Sequence, residues 1–193
     1  MPSREWYREL LENVRQAHTA HAKAWNAARA KFGTAGKAYE ATENELEVLH
    51  KHLNAFYEKI VVPLEKPFLA GEPAAINEVL TLLEVGVAAF RSGYTKEWYY
   101  RKLKSVPLSE KQINRLREIA INRCISAEHR REDGELRRLM IKLADAKFLR
   151  RVAELPFSAD PHVQRKRMLM TEVVLRGRVD LQKELSVVPK SRY

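Results

Sequence analysis

The chain has 193 residues, of which 45% are hydrophobic and 31% are charged, and it contains one cysteine. These values are typical of one folded domain with a buried core, and one cysteine excludes an internal disulfide bond and a thiolate metal cluster. No apolar stretch approaches the roughly 18–20 residues that a membrane span needs. Charged residues are spread through the first ten positions, so these lack the apolar run of a signal peptide. This predicts a cytoplasmic location.

The net charge of +10 is concentrated in the second half of the chain. Residues 1–94 contain 11 Lys and Arg against 12 Asp and Glu, whereas residues 95–193 contain 24 against 13. A basic half of this size attracts nucleic acid, an anionic membrane surface or an acidic protein. The alternative interpretation is a charged helical surface that only keeps the protein soluble.

Residues 1–62 are predicted to form a long antiparallel helical hairpin. Large or apolar residues recur there at alternating spacings of three and four, which is the seam of a coiled coil. The turn is predicted at GTAG, residues 33–36. The first seam contains Tyr7, Leu11, Val14, His18, His21, Trp25, Ala28 and Phe32, and the second contains Tyr39, Thr42, Leu46, Leu49, Leu53, Phe56 and Ile60.

Histidines take the place of apolar residues at two positions of the first seam. Folding the hairpin at residues 33–36 brings His18 and His21 towards His50 and Glu47, which is a set of side chains that can ligate a metal ion. Seam histidines that hydrogen-bond to their neighbours are the commoner outcome. We therefore expect no metal and no cofactor, and retain these four residues as the candidates for a metal-binding helical protein.

Two prolines, Pro63 and Pro67, predict an extended link after the hairpin. A helix is expected to begin at Pro73 and to run to about residue 92, where Ser92 and Gly93 end it. This helix is apolar on most sides, which predicts that it is buried at the centre of the domain.

A short helix over residues 95–104, with Thr95 as its cap, mixes aromatic and basic side chains. Such a mixture suits stacking on bases and pairing with phosphate. It also suits a helix that buries one aromatic face, and this second interpretation is favoured for Trp98 and Tyr99. The residues predicted to contact nucleic acid are Tyr94, Tyr100, Arg101, Lys102 and Lys104.

Further along the chain, Ser109 and Gln112 form a capping-box pattern, and Cys124 lies in the apolar stripe of the helix that they open. Two arginine pairs follow, seven residues apart, and share one face if a single helix carries both. Nearby Glu132, Asp133 and Glu135 are able to neutralise them. The predicted basic row is Arg130, Arg131, Arg137, Arg138 and Lys142.

The pattern Asp160-Pro161 predicts another helix start, followed by Arg165, Lys166 and Arg167 on an outward face. This segment resembles one layer of a HEAT-like helical repeat, although the chain has no repeat of fixed period. A last short helix is expected over VDLQKEL, residues 179–185.

The sequence thus predicts an all-α fold, with a basic bundle of shorter helices (residues 63–193) packed on the hairpin. It has no phosphate-binding loop, zinc-protease motif or nucleophile elbow, which argues against an enzyme. The first hypothesis is a nucleic-acid-binding protein, or a subunit of a nucleoprotein assembly, that contacts DNA or RNA phosphates through the basic residues named above. The second hypothesis is a protein–protein adaptor that binds a partner or itself, and the third is the metal-binding helical protein.

Overall fold

A computed structural model describes residues 3–85, 87, 89, 91–128 and 130–186. Every regular element in these residues is a helix, so the predicted all-α class is confirmed. None of the described helices is long and apolar enough to cross a membrane. The helices are α1 (Arg4–Phe32), α2 (Ala35–Glu40), α3 (Glu43–Phe56), a π-helical stretch (Tyr57–Val61), α4 (Val62–Leu69), α5 (Pro73–Glu84), α6 (Ser92–Lys102), α7 (Glu110–Ile125), α8 (Asp133–Leu143), α9 (Ala146–Ala153), α10 (Pro161–Gly177) and α11 (Val179–Ser186).

Local sequence signals explain where several helices begin and end. The Ser3 hydroxyl accepts a hydrogen bond from the Trp6 backbone N–H at 3.2 Å, which caps α1. Gly33 ends α1 at φ +70°, a left-handed conformation that glycine adopts without a steric penalty. The predicted capping box of Ser109 and Gln112 opens α7, and Asp160 caps α10.

The chain divides into two compact units, Met1–Thr95 and Lys96–Tyr193. In the first unit α1 packs against α2, α3 and α5. The Tyr7 hydroxyl donates to Glu78 Oε1 at 2.7 Å, and Arg4 pairs with Glu84, so both contacts tie the start of α1 to α5. The sequence had placed the division at residue 62, and the predicted packing of the basic bundle on the hairpin stays a prediction.

The extended link predicted after the hairpin is wrong. α3, the π-helical stretch and α4 follow one another without a break, and Pro63 and Pro67 both lie within α4. Pro63 is the second residue of α4 and lies two residues after the end of the π-helical stretch. The two prolines were expected to end the helix. Pro63 does not end it, because the π-helical stretch before it already departs from the α-helical hydrogen-bond pattern.

The π-helical stretch also keeps the apolar side chains of this long run on one face. Phe56, Ile60, Leu64 and Phe68 recur at every fourth position of the run, and all four are buried. In a regular α-helix each step of four overshoots a full turn by about 40°. The wider π turn offsets that drift, so the four side chains reach the same core.

The predicted helix from Pro73 to residue 92 is shorter in the structure. α5 ends at Glu84, and Val85 is extended, with φ −70° and ψ 119°. Residues 86, 88 and 90 lie outside the described part of the chain. Ser92 begins α6 rather than ending a helix, and its hydroxyl donates to the Ala89 carbonyl at 2.8 Å.

The second unit is built around α7, α8 and α10, which contact one another, while α9 packs on α7, α10 and α11. α10 approaches α8 closely at Gly177, which is the last residue of α10. A Cβ atom at this glycine would lie 2.5 Å from Ile141 Cγ2 of α8. A residue without a side chain is therefore needed for α10 to pack this tightly against α8.

Candidate nucleic-acid interface

The predicted basic row does not lie on one helix face. α8 begins at Asp133, so Arg130 and Arg131 precede it in a turn, whereas Arg137 and Arg138 lie inside it. Their seven-residue spacing would place both pairs on one face only if a single helix contained both. Of the acidic residues that the sequence placed among the arginines, Glu132 directly precedes this helix, and Asp133 and Glu135 lie in its first turn, where the helix dipole stabilises negative charge.

Three of the residues predicted to contact nucleic acid are buried in the second unit. Arg130 and Lys166 are each 8% exposed, and Tyr100 is 2% exposed. Lys166 Nζ donates to the Ser126 carbonyl at 2.9 Å, and Arg130 pairs with Glu128. A polymer on the protein surface does not reach these groups, so they form part of the core.

Four further predicted residues are bound to carboxylates. Arg131 and Arg101 both pair with Glu97, at 2.6 Å and 3.0 Å. Lys104 and Arg138 both pair with Glu135, at 2.6 Å and 2.5 Å. The sequence had indicated Glu135 as a neutralising residue, but it gave no sign of Glu97, whose two partners lie four and 34 residues away.

The remaining predicted residues differ in how accessible they are. Lys102 lies over the Trp98 ring, with Nζ 5.8 Å from the ring centroid, and Arg167 donates to the carbonyls of Leu155 and Pro156 at 3.2 Å and 2.6 Å. Tyr94 is 58% exposed.

In the part of the chain that the structure describes, Arg137, Lys142 and Arg165 form no ion pair, and Lys142 and Arg165 are exposed. Among the described residues, Lys142 has one polar contact, with the Lys104 carbonyl at 2.5 Å. Three more exposed cations have no carboxylate partner in the described ranges, and they were not predicted because they lie outside the basic row. These are Lys111, Lys147 and Arg150.

A cluster of buried charges lies at the start of α8, and we call it the buried ionic cluster. Its acidic members are Glu132, Asp133 and Glu135, each 6% exposed. Its basic members are Lys96, Arg130 and Lys166. The Arg123 guanidinium on α7 also approaches Asp133, with Nε 3.0 Å from Oδ1 and Nη2 3.2 Å from Oδ2. The fully buried members are thus three acids and three bases, and the half-buried Arg123 is a fourth cation beside them.

Burial changes the acid–base properties of this region. It lowers the pKa of Lys96 to about 8, against the opposing attraction of Glu132, and it lowers the pKa of Lys166. It also raises the pKa of the Tyr100 hydroxyl, and raises the pKa of the Cys124 thiol to about 11. Tyr100 and Cys124 are therefore neutral at physiological pH, which suits packing rather than nucleophilic chemistry.

The four metal candidates of the hairpin do not form a site. Among the described residues, no group of three or more His, Cys, Asp or Glu side chains is placed to hold a metal ion. His18 and His21 are half-buried, whereas Glu47 and His50 are exposed. The His21 ring instead lies near Trp25, with 6.3 Å between ring centroids.

An apolar depression of about 540 Å³ lies on the second unit beside the loop that joins α9 and α10. Phe157 and Met168 line it and are 86% and 60% exposed. Two large apolar side chains are thus accessible to solvent at one place on this surface.

Comparison with known proteins gives no relative from which a function could be carried over. No protein-family model matches the chain, and no significant match was found among curated proteins or among solved structures.

Proposed function

We propose that this protein binds nucleic acid through backbone phosphates, using the exposed cations of its second unit. The observation that supports this proposal is the distribution of charge between the interior and the surface. The buried acids Glu132, Asp133 and Glu135 are matched by the buried cations Lys96, Arg130 and Lys166. Among the described residues from 95 to 186, the excess of Lys and Arg over Asp and Glu is therefore carried by side chains outside the fully buried core, where phosphate can reach them.

The primary contacts in this proposal are the exposed Lys142 and Arg165 and the half-buried Arg137, which need not break an ion pair to bind phosphate. Arg131 and Arg101 are secondary contacts, because their side chains are exposed, an ion pair at the surface is worth little, and a phosphate can replace Glu97. Arg138 and Lys104 stay paired with the buried Glu135 and add to the positive field of the unit. Tyr94 provides an exposed ring for stacking. Phosphate contacts position a polymer without reading its bases, so the expected sequence specificity is low.

In this proposal the helices form a long antiparallel coiled-coil-like hairpin followed by the basic bundle. The protein is proposed to be cytoplasmic. Two features support the hairpin. Only Gly33 and Thr34 separate α1 from α2, and both α2 and α3 contact α1. A link this short cannot return to the start of the 29-residue α1, which is about 43 Å long. α3 is therefore expected to run against α1.

The test is fluorescence anisotropy with labelled single- and double-stranded DNA and RNA at roughly 50 and 200 mM salt. Several phosphate contacts predict an affinity that falls by about 10³-fold or more over this range, with a salt slope close to the number of contacts. Absence of binding to all four polymers at low salt would exclude the proposal.

The variant that tests the primary contacts is R137Q/K142Q/R165Q. Each lost phosphate contact is expected to reduce the salt slope by about one, so the slope falls by about three. The matched control is K51Q/K59Q/K66Q, which removes three exposed cations from the first unit and should bind as the native protein does. Equal losses in both variants would show that net charge alone drives binding.

The adaptor function remains a second candidate because of the depression beside Phe157. An apolar interface depends weakly on salt, whereas a phosphate interface depends on it steeply. A protein partner that is retained at 500 mM salt and lost on Phe157→Asp would favour the adaptor.

A further inference from the structure

The half of the first unit near the α1–α2 turn is less covered than the other half. Tyr7, Leu11 and Val14, in the first part of α1, are at most 1% exposed. By contrast, Phe32 is 38% exposed and Tyr39 is 53% exposed. The hydrogen bond and the ion pair that join α1 to α5 both fall within the first turn of α1, so they do not reach this end.

Further from the turn, seam side chains of α1 and α3 are also only partly covered. Trp25 and His21 on α1 are half-buried, as is Leu46 on α3. Val48 on α3 is 49% exposed. Two neighbouring helices that leave part of their apolar seam open to water are typical of half of a four-helix bundle.

The same region separates positive from negative charge. Residues 13–39 contain five Lys or Arg and no acidic residue, and residues 38–50 contain four Glu and no Lys or Arg. We call these groups the basic segment and the acidic segment. The basic segment contains Arg15, Lys23, Arg29, Lys31 and Lys37, and the acidic segment contains Glu40, Glu43, Glu45 and Glu47.

The two segments do not neutralise each other within one chain. Arg15 pairs with Glu12, whereas none of the other eight side chains forms an ion pair among the described residues. The contacts of the remaining basic side chains are local, such as that of Lys31 Nζ, which lies 5.1 Å from the centre of the Phe32 ring. The charges therefore remain available to a partner that presents the opposite order.

We infer that a second copy of this chain packs on this region and completes a four-helix bundle. Two-fold symmetry with both turns at the same end places α1 of each copy beside α3 of the other. That arrangement brings the basic segment of each copy against the acidic segment of its partner, and closes both apolar seams. The second copy is chosen because one chain carries both complementary segments, and charge complementarity fixes the orientation.

This inference concerns the first unit and is independent of the proposed phosphate contacts, which lie in the second. Its test is the molar mass of the full chain at about 50 μM protein by light scattering coupled to size exclusion. The native protein is expected at twice the 22.4 kDa of one chain. A native protein that stays monomeric at this concentration would overturn the inference.

Two charge-reversal variants test the pairing of the segments. K23E/R29E/K31E makes both segments negative, and E43K/E45K/E47K makes both positive, so each alone is expected to be monomeric. An equimolar mixture of the two is expected to restore a dimer that contains one copy of each. Failure of the mixture to associate, or persistence of either homodimer, would contradict the charge pairing.

The matched control for E43K/E45K/E47K is E9K/E58K/E65K, which makes the same change in net charge at exposed positions outside both segments and should remain dimeric. The milder pair K23Q/K31Q and E45Q/E47Q applies if a reversal variant does not fold, as judged by circular dichroism. Each neutral variant is expected to raise the dimer Kd by about tenfold or more, since removing charges at an interface weakens it. An unchanged Kd in both would again count against the inference.

Discussion

Lys166 Nζ of α10 lies 3.6 Å from Asp133 Oδ2 at the start of α8, and both side chains are more than 90% buried. Asp133 also accepts the Arg130 backbone N–H at 3.2 Å and pairs with Arg123 of α7. One carboxylate thus joins the three helices around which the second unit is built.

Asp133→Asn is expected to lower the free energy of unfolding by about 3–5 kcal/mol. Removing one member of a buried ion pair leaves the other charge buried without compensation, and here Arg123 and Lys166 are both affected. Chemical denaturation monitored by circular dichroism measures the loss. Glu172→Gln is the matched control, because it breaks an exposed pair with Arg176 and should cost less than about 1 kcal/mol. Similar losses in the two variants would contradict the structural role of Asp133.

The stability contribution of Lys96 is expected to rise with pH. Burial lowers its pKa to about 8 from 10.5, so between these values the unfolded chain binds a proton that the folded chain does not. The free energy of unfolding therefore increases as pH rises through this window.

Lys96→Met removes this dependence while keeping a side chain of similar length. The native protein should gain stability relative to the variant between about pH 8 and pH 10, as measured by denaturation at several pH values. Taking the difference cancels the titrations that both proteins share, including those of Tyr100 and Cys124. Parallel pH profiles would show that Lys96 is not perturbed in this way.

Gly177→Ala is expected to destabilise the second unit by about 1–3 kcal/mol, because the added methyl group overlaps Ile141. The cost should be smaller in an Ile141→Ala background, which a double-mutant cycle measures. Gly134→Ala is the control, since a Cβ there meets nothing within 4 Å. Gly134 lies in α8, so its replacement should stabilise the protein by up to about 1 kcal/mol.

Cys124 is expected to react slowly with thiol reagents in the native protein. It is 1% exposed, and burial raises the pKa of its thiol to about 11 from 9.0. At pH 8 the thiolate fraction is then about a hundredfold lower than in the unfolded chain, and access is lower still. Reaction with a disulfide reagent, with and without denaturant, measures the difference. Rapid native labelling would show that α7 opens readily.

Much of the helical pattern was predictable because it depends on neighbours along the chain. The seam spacings of α1 and α3, the capping box at Ser109 and the proline start of α10 are all local signals. The extended link at Pro63 and the length of α5 were wrong. The first prediction missed the π turn before Pro63, and the second overlooked Val85, a β-branched residue that is extended in the structure.

The candidate interface was less predictable, because burial depends on packing between distant residues. Arg130 and Lys166 have the composition of surface residues, and only the fold places them beside Asp133. Tyr100 and Tyr94 are six residues apart and looked equivalent in the sequence, yet one is buried and the other exposed. Charge counted along the chain predicted the basic half, but not which cations reach the surface.

The π-helical stretch Tyr57–Val61 makes this part of the chain tolerant of losing one residue. Deleting one residue of the stretch and restoring α-helical geometry would leave seven helical steps from Phe56 to Leu64, which is about 700° and close to two full turns. Leu64 and Phe68 would therefore still face the core that they share with Phe56. The helix can thus lose its π turn and keep the alignment of its buried side chains.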